Sequence, residues 1–164
     1  MENKGEVKLP ALGHVGIVVK DIDKTMEYYS STFGIGPWRV RDADYQGVML
    51  RGQKTSYKAR LAFAETETVE LELIQPVSGR SLYSEFLDEV GEGLHHLGYL
   101  VGKEEKEDIL SKLAEQGVKT IMAANSVLHS GSWAYLEPVI GGVMFELVHR
   151  PTPLSEWKNT EIKK

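Results

Sequence analysis

The sequence predicts an α+β fold in which two βαβββ modules form a curved cup of eight strands. The first indication is a repeated octapeptide: residues 12–19 recur as residues 94–101, with histidine third and glycine fifth in each copy. The second is a pair of apolar segments, residues 69–76 and 144–151, that each contain a glutamate. The third is that the patterns between these segments follow the same order in both halves. The sequence therefore indicates two copies of one small module.

The first module covers about residues 9–76. The side chains of residues 12–20 alternate in character, and β-branched residues predominate toward the end of the segment, which predicts a strand. Asp21 or Asp23 can cap the helix that follows, and Gly34 can end it. The apolar face of this helix carries Ile22, Met26, Tyr29 and Phe33. Three strand candidates come next: one near residues 38–41, a long irregular hairpin arm over residues 47–63, and one over residues 68–75.

A linker helix within residues 78–93 joins this module to a second one over about residues 94–151, and a tail covers residues 152–164. The linker helix directs Leu82, Phe86 and Leu87 inward. The second module begins with a strand over residues 94–102 and continues with a charged helix that stops at Gly117. The apolar stripe of that helix is Ile109, Leu110, Leu113 and Ala114. Its strands are predicted over residues 118–123, 132–137 and 143–148.

Each module supplies one histidine near its start and one glutamate near its end: His14, Glu72, His96 and Glu146. Strand side chains alternate between faces, so a curled sheet can direct these side chains into one hollow. Burying two carboxylates without a cation is costly, which favours a divalent-metal site. Gly16 and Gly98 follow the histidines by two residues and are expected to leave room for a ligand.

The other histidines are interpreted as structural. Strand alternation places His95 on the opposite face from His96. His129 lies in a loop rich in serine, asparagine and glycine, and His149 is expected to face away from Glu146.

Composition narrows the functional classes. The chain has no cysteine, so a metal must take nitrogen and oxygen ligands. The net charge is -5 and the basic residues do not cluster, which argues against nucleic acid as a partner. Neither a membrane-spanning run of about 20 apolar residues nor a signal peptide is evident. We therefore expect a cytoplasmic protein that binds a small molecule.

Residues 13–19, 21–24, 28–34 and 143–148 carry a resemblance to a known family. Over roughly residues 9–150 the chain resembles the vicinal oxygen chelate superfamily, also called the glyoxalase/bleomycin-resistance fold. Residues 72–76, 93–96 and 141–146 are most similar to the methylmalonyl-CoA epimerase family. The resemblance implies a homodimer that acts on an acyl-CoA thioester. It also implies one divalent ion (Co, Ni, Mn, Zn or Fe), held by His14, Glu72, His96 and Glu146.

One position departs from the epimerase pattern. In that family a glutamate that serves as catalytic base precedes a Gln-Gly-Val or His-Gly-Val segment. Here Tyr45 precedes residues 46–48, and Asp44 lies one position earlier. We expect Glu146 to be the acid/base group on one face of the substrate. The acid/base group on the other face is Asp44, Tyr45 or Glu70, and the sequence does not decide among these three candidates.

The resemblance implies a metal-dependent epimerase that acts through a metal-bound enolate, with methylmalonyl-CoA as the expected substrate. A glyoxalase-type isomerase is the alternative. A ring-cleaving dioxygenase ranks lower, because Glu72 would crowd the oxygen site. A drug-binding protein also ranks lower, because such binders generally lack the ligand set. The basic hairpin over residues 51–60 either suits a CoA phosphate or is simply solvated; its basic residues are Arg51, Lys54, Lys58 and Arg60.

Overall fold

The computed structural model describes residues 7–125, 131–138 and 141–156. The first half contains β1 (Leu12–Val18), α1 (Ile22–Phe33), β2 (Arg39–Leu50), β3 (Gln53–Glu65) and β4 (Glu70–Gly79). α2 (Leu82–Glu89) connects it to the second half. That half contains β5 (Gly93–Leu100), α3 (Lys103–Glu115), β6 (Thr120–Asn125), β7 (Ser132–Leu136) and β8 (Met144–His149). A short 3-10 helix, Leu154–Glu156, follows.

The eight strands form one mixed sheet that closes into a barrel in the order β1-β4-β3-β2-β6-β7-β8-β5. β1 pairs in parallel with β4, and β5 pairs in parallel with β8. The two halves meet along the antiparallel β1–β5 pair and again where β2 meets β6. The second contact is short, since only Met49 with Ala123 and Leu50 with Met122 are paired. The predicted α+β fold with eight strands is confirmed, although the cup closes further than expected.

The hairpin of the first half differs from its prediction. The strand expected near residues 38–41 continues to Leu50, and the turn lies at Arg51 and Gly52. Both turn residues have positive φ, 47° and 79°, as a tight hairpin turn requires. A register shift between Tyr45 and Val48 interrupts the alternation of β2, where Gly47 has φ 66°. Because of this irregularity and the exposed Asp42 and Asp44, the sequence pattern did not indicate that β2 is one long strand.

The helices begin and end mostly where the sequence indicated. Asp21 caps α1 by accepting a hydrogen bond from the backbone N–H of Lys24, and Gly34 ends this helix with φ 69°. Ile22 and Met26 are buried against β3 and β4, but Phe33 is 61% exposed, so its predicted inward position is wrong. Phe33 lies in the last turn of α1, where its ring contacts the rings of Tyr28 and Tyr29.

α2 packs Leu82 and Tyr83 into the core inside the barrel, while α1 and α3 cover the outside of the sheet. Tyr83 was not among the predicted inward residues, yet it is only 5% exposed. Phe86 and Leu87 are partly buried against the same core, as expected. None of the helices within the described residues is both long and apolar enough to cross a membrane.

Candidate metal centre

Four adjacent strands, β4, β1, β5 and β8, each contribute one side chain to a buried cluster: Glu72, His14, His96 and Glu146 respectively. One ligand atom from each residue lies within 4.8 Å of the other three. All four residues are at most 7% exposed. The structure therefore brings together the residues that the sequence singled out as ligands.

The imidazoles face one another through their Nε2 atoms, which are 3.0 Å apart. His14 Nε2 lies 2.8 Å from Glu146 Oε2 and 3.4 Å from Glu72 Oε2. His96 Nε2 lies 3.4 Å from Oε2 of each of the same two carboxylates. Neighbouring ligand atoms around an ion with bonds of about 2.1 Å are roughly 3.0–3.4 Å apart, so this spacing suits a metal shell.

The electrostatics of the cluster also suit a cation. Burial by itself would lower the pKa of His96, but hydrogen bonds to Glu146 and Glu72 outweigh burial and raise it to about 9. Burial would raise the pKa of Glu146, but hydrogen bonds from His14 and His96 outweigh it and hold that pKa far below its usual range. Without a metal, a proton on an imidazole offsets only one of the two carboxylate charges. A divalent ion bound by two neutral imidazoles would offset both.

Two glycines allow the histidines to reach the centre. Gly16 lies opposite Glu72 on β4 and opposite His96 on β5. A Cβ atom on Gly16 would lie 1.9 Å from Cε1 of His96, so the ring occupies the space that a side chain would take.

Gly98 repeats this arrangement. It lies opposite Glu146 and His14, and its Cβ would lie 1.9 Å from Cε1 of His14. The sequence-based expectation that these glycines leave room for a ligand is wrong. Each one makes room for the imidazole of the other half.

A β-bulge on β5 changes the position of His95. Gly16 pairs with His96 and Ile17 pairs with Leu94, so His95 is the extra residue of the bulge. Strand alternation predicted the opposite face for His95, and this is wrong. Its side chain is 2% exposed, and its Nδ1 lies 3.0 Å from Nδ1 of His96. Burial and the charge of His96 lower the pKa of His95 to about 3, so this imidazole is neutral.

The cluster opens into a cavity of about 70 Å³. Glu72, Glu146 and His14 line it together with aromatic and basic side chains. The remaining lining residues are Arg41, Tyr45, Leu61, Phe63, Tyr83, Gly131, Ser132, Trp133, Val148, His149, Arg150 and Pro151. His149 was expected to face away from Glu146, yet it borders this cavity, and its Nδ1 lies 3.3 Å from the carbonyl oxygen of Val101. His129 lies outside the described residues.

The candidates for the second acid/base group occupy different environments. Tyr45 lines the cavity and accepts a hydrogen bond from Nη2 of Arg41 at 2.7 Å. Burial raises the pKa of Tyr45 despite the nearby guanidinium. Asp44 is exposed and contacts Gln46 and Lys58, whose hydrogen bonds lower its pKa.

Glu70 is the third candidate for this role. It receives two hydrogen bonds from Nη2 of Arg150, at 2.6 and 2.7 Å. Of the three candidates, Tyr45 is the one among the residues that line the cavity around Glu146.

Arg41, Tyr83 and Trp133 were not singled out from the sequence. Arg41 shares the face of β2 on which Tyr45 lies, since their positions differ by four, and this parity is the one signal that could have indicated it. The basic hairpin is largely ion-paired: Arg51 contacts Glu85, Lys58 contacts Asp44, and Arg60 contacts Asp23 and Asp42.

Comparison with known proteins identifies the class. Residues 13–135 match the model of the Glyoxalase/Bleomycin resistance protein/Dioxygenase superfamily, and the chain belongs to that superfamily. Among curated proteins it is similar to the uncharacterized protein YqjC of Bacillus subtilis (strain 168). The two are 29% identical over 110 residues, which cover 67% of this chain and 69% of YqjC.

Solved structures of one particular enzyme are also similar. Methylmalonyl-CoA epimerase from Mycobacterium tuberculosis is 26% identical, with a TM-score of 0.66, and the match covers 88% of this chain and 90% of the epimerase. A methylmalonyl-CoA epimerase in complex with methylmalonyl-CoA and NH4+ is 23% identical. Its TM-score is 0.68, and 88% and 97% of the two chains are covered. At that identity the second likeness shows the fold alone.

Proposed function

We propose that this protein is a divalent-metal-dependent enzyme that moves a proton at a carbon next to a carbonyl group. The observation that carries the proposal is the buried cluster of two histidines and two glutamates, three of which line a cavity. An ion held by His14, Glu72, His96 and Glu146 would act as a Lewis acid on the carbonyl oxygen, which makes the adjacent C–H more acidic.

Glu146 is the proposed base. It lines the cavity, and its contacts with both imidazoles run through Oε2. Oε1 is then the oxygen that takes the proton of the substrate. An ion bound through Oε2 would keep the carboxylate ionised and fix its orientation, which a base needs before the substrate binds.

Tyr45 is the proposed acid on the other face of the enolate. Because Arg41 donates to the phenol oxygen, the O–H hydrogen of Tyr45 can point into the cavity. The raised pKa keeps the phenol protonated at neutral pH, so Tyr45 acts as a donor. Asp44 has no place in this proposal, since its carboxylate lies outside the cavity with Gln46 and Lys58.

For the substrate we propose a 2-carboxyacyl thioester such as methylmalonyl-CoA, which would make the protein an epimerase. The support is the similarity to methylmalonyl-CoA epimerases. A cavity of about 70 Å³ holds only a few atoms, so the reacting end of such a thioester would enter while the CoA portion stays outside.

A glyoxalase-type isomerase is the second candidate, and one observation favours it. Epimerisation in both directions needs a group on each face that can exchange its proton. Tyr45, with its raised pKa, gives up a proton less readily than a carboxylic acid would. An isomerase that moves a proton between neighbouring carbons can work with Glu146 as its single base.

Deuterium incorporation distinguishes these functions. The protein is loaded with Co²⁺ and incubated in D₂O with each methylmalonyl-CoA epimer, and label at C2 and configuration are measured. Entry of deuterium with inversion is the expected result. Glu146→Gln should slow it by about 10²- to 10⁴-fold. The control is Glu65→Gln, which alters an exposed carboxylate that pairs with Arg39.

Metal content is measured in the same preparations. If turnover is found only with a hemithioacetal, the isomerase is correct and the epimerase is not. If neither substrate exchanges, the enzyme proposal is wrong. Full metal retention in both His14→Ala and His96→Ala would exclude the proposed ligand set.

We also propose a homodimer, which the epimerase resemblance implies. Tyr28 and Phe33 on α1 are 56% and 61% exposed, and their rings contact one another. Sedimentation velocity at micromolar concentration should show a species of twice the chain mass, and a monomer alone would contradict the proposal.

A further inference from the structure

We propose that His95 is a positioning residue for the metal centre: it accepts a hydrogen bond from Nδ1–H of His96 and thereby leaves Nε2 of His96 free to bind the ion. This inference rests on the proposed metal site and assigns a function to a histidine that contributes no ligand atom. It does not depend on which substrate the protein turns over.

The chemistry of the histidine pair decides which nitrogen carries the hydrogen. Nδ1 of His95 and Nδ1 of His96 are 3.0 Å apart, so one nitrogen carries the hydrogen and the other accepts it. Nε2 of His96 faces the cluster, 3.0 Å from Nε2 of His14. A nitrogen that binds a metal cannot carry a hydrogen, so the hydrogen of His96 belongs on Nδ1. His95 must then accept at Nδ1 and carry its own hydrogen on Nε2.

The ring of His95 is held in place by aromatic side chains. Tyr83, Phe86 and Tyr135 surround it, with ring centroids at 5.1, 5.2 and 5.8 Å. The bulge on β5 directs the side chain into this aromatic enclosure instead of outward. A fixed acceptor determines both the tautomer and the orientation of His96. This is the usual effect of a group that hydrogen-bonds the ring nitrogen that a ligand histidine does not use for the metal.

The two halves differ in the residue that precedes the proposed ligand histidine. His14 is the equivalent ligand in the first half, and the residue before it is Gly13, whereas His95 precedes His96. Among the described residues, Nδ1 of His14 is buried without a hydrogen-bond partner. The chain thus holds one supported and one unsupported ligand histidine on symmetry-related strands. The bulge and His95 are what the second half has in addition.

The test compares two substitutions of similar size. The side-chain oxygen of His95→Gln can accept a hydrogen bond, whereas His95→Leu fills the space without an acceptor. Co²⁺ affinity is measured by competition with a chromophoric chelator, and circular dichroism verifies folding. We expect His95→Leu to weaken binding by about 10- to 100-fold and His95→Gln to stay within a few-fold of the unmodified protein.

Phe86→Leu is the matched packing control. It loosens the enclosure of His95 without removing the acceptor, so the melting temperature should fall while Co²⁺ affinity is kept. As a second readout, ¹⁵N shifts of His96 should show the Nδ1–H tautomer in the metal-loaded protein and in His95→Gln.

Three outcomes would overturn the inference. Equal affinity in all variants would mean that His95 does not support the ligand. Equal losses in the leucine and glutamine variants would mean that it acts by packing alone. If the unmodified protein binds no Co²⁺, the metal site and this inference both fail. The first two outcomes leave the proposed function intact.

Discussion

Replacing Gly98 with alanine should release the metal without unfolding the protein. The added Cβ would lie 1.9 Å from Cε1 of His14, 2.1 Å from its Nε2 and 2.4 Å from its Nδ1. Carbon atoms in contact are about 3.5–4.0 Å apart, so the imidazole must retreat by roughly 1.6 Å or more. Ligand distances in metal sites tolerate only about 0.2 Å. His14 can therefore no longer bind in the Gly98→Ala protein.

The magnitude follows from the loss of one of the four proposed ligands. Removing a residue that only hydrogen-bonds a ligand costs about 10- to 100-fold in metal affinity, so losing the ligand itself should cost at least about 100-fold. This factor corresponds to about 2.8 kcal/mol. Chelator competition measures the affinity, and circular dichroism with thermal melting shows that the barrel is intact.

Gly102→Ala is the matched control. Gly102 precedes α3, and the nearest atoms to its added Cβ would be 3.8 Å away, which is ordinary contact. Metal affinity should therefore not change. If Gly98→Ala binds Co²⁺ as tightly as Gly102→Ala, either His14 is not a ligand or the sheet opens without cost, and the steric argument is refuted.

Two further predictions concern protons. Because the pKa of His96 rises from 6.5 to about 9 on folding without metal, its stabilisation is full below pH 6.5 and is lost as the pH rises through 9. The melting temperature of EDTA-treated protein should thus fall between these pH values, and that of metal-loaded protein should fall less; parallel curves would contradict this. Tyr45→Phe should slow proton return by about 10²-fold or more, while Asp44→Asn should leave isotope exchange unchanged. Equal losses in the two variants would contradict the assignment of Tyr45.

The four clustered residues could be predicted because the strands repeat. Strand alternation fixes the face of each ligand once the strand is recognised, and the repeat shows which histidine and which glutamate correspond. In the structure Gly16 pairs with Glu72 and Gly98 pairs with Glu146, so the ligand strands have the same register in both halves. The sequence therefore contained enough information to place all four side chains in one hollow.

The surroundings of the cluster could not be predicted in the same way, because they depend on irregular backbone and on contacts distant in sequence. The bulge at His95 breaks the alternation on which the face assignment relied. Tyr83 enters the core from a helix, and its hydroxyl meets that of Tyr135 at 2.7 Å. No local pattern indicates that a residue of α2 and one of β7 meet in this core.

The two halves position their proposed ligands in the same way but differ in the residues around those ligands. In each half a histidine precedes a glycine by two residues, and that glycine lies opposite the glutamate on the parallel strand. Because each glycine also lies under the imidazole of the other half, neither half can form the centre alone. Because each half needs the glycine of the other, the histidine and the glycine must occupy equivalent positions in both halves. The residues that precede the histidines are under no such requirement. Gly13 and His95 could therefore diverge, and the second half supports its histidine by a means that the first half lacks.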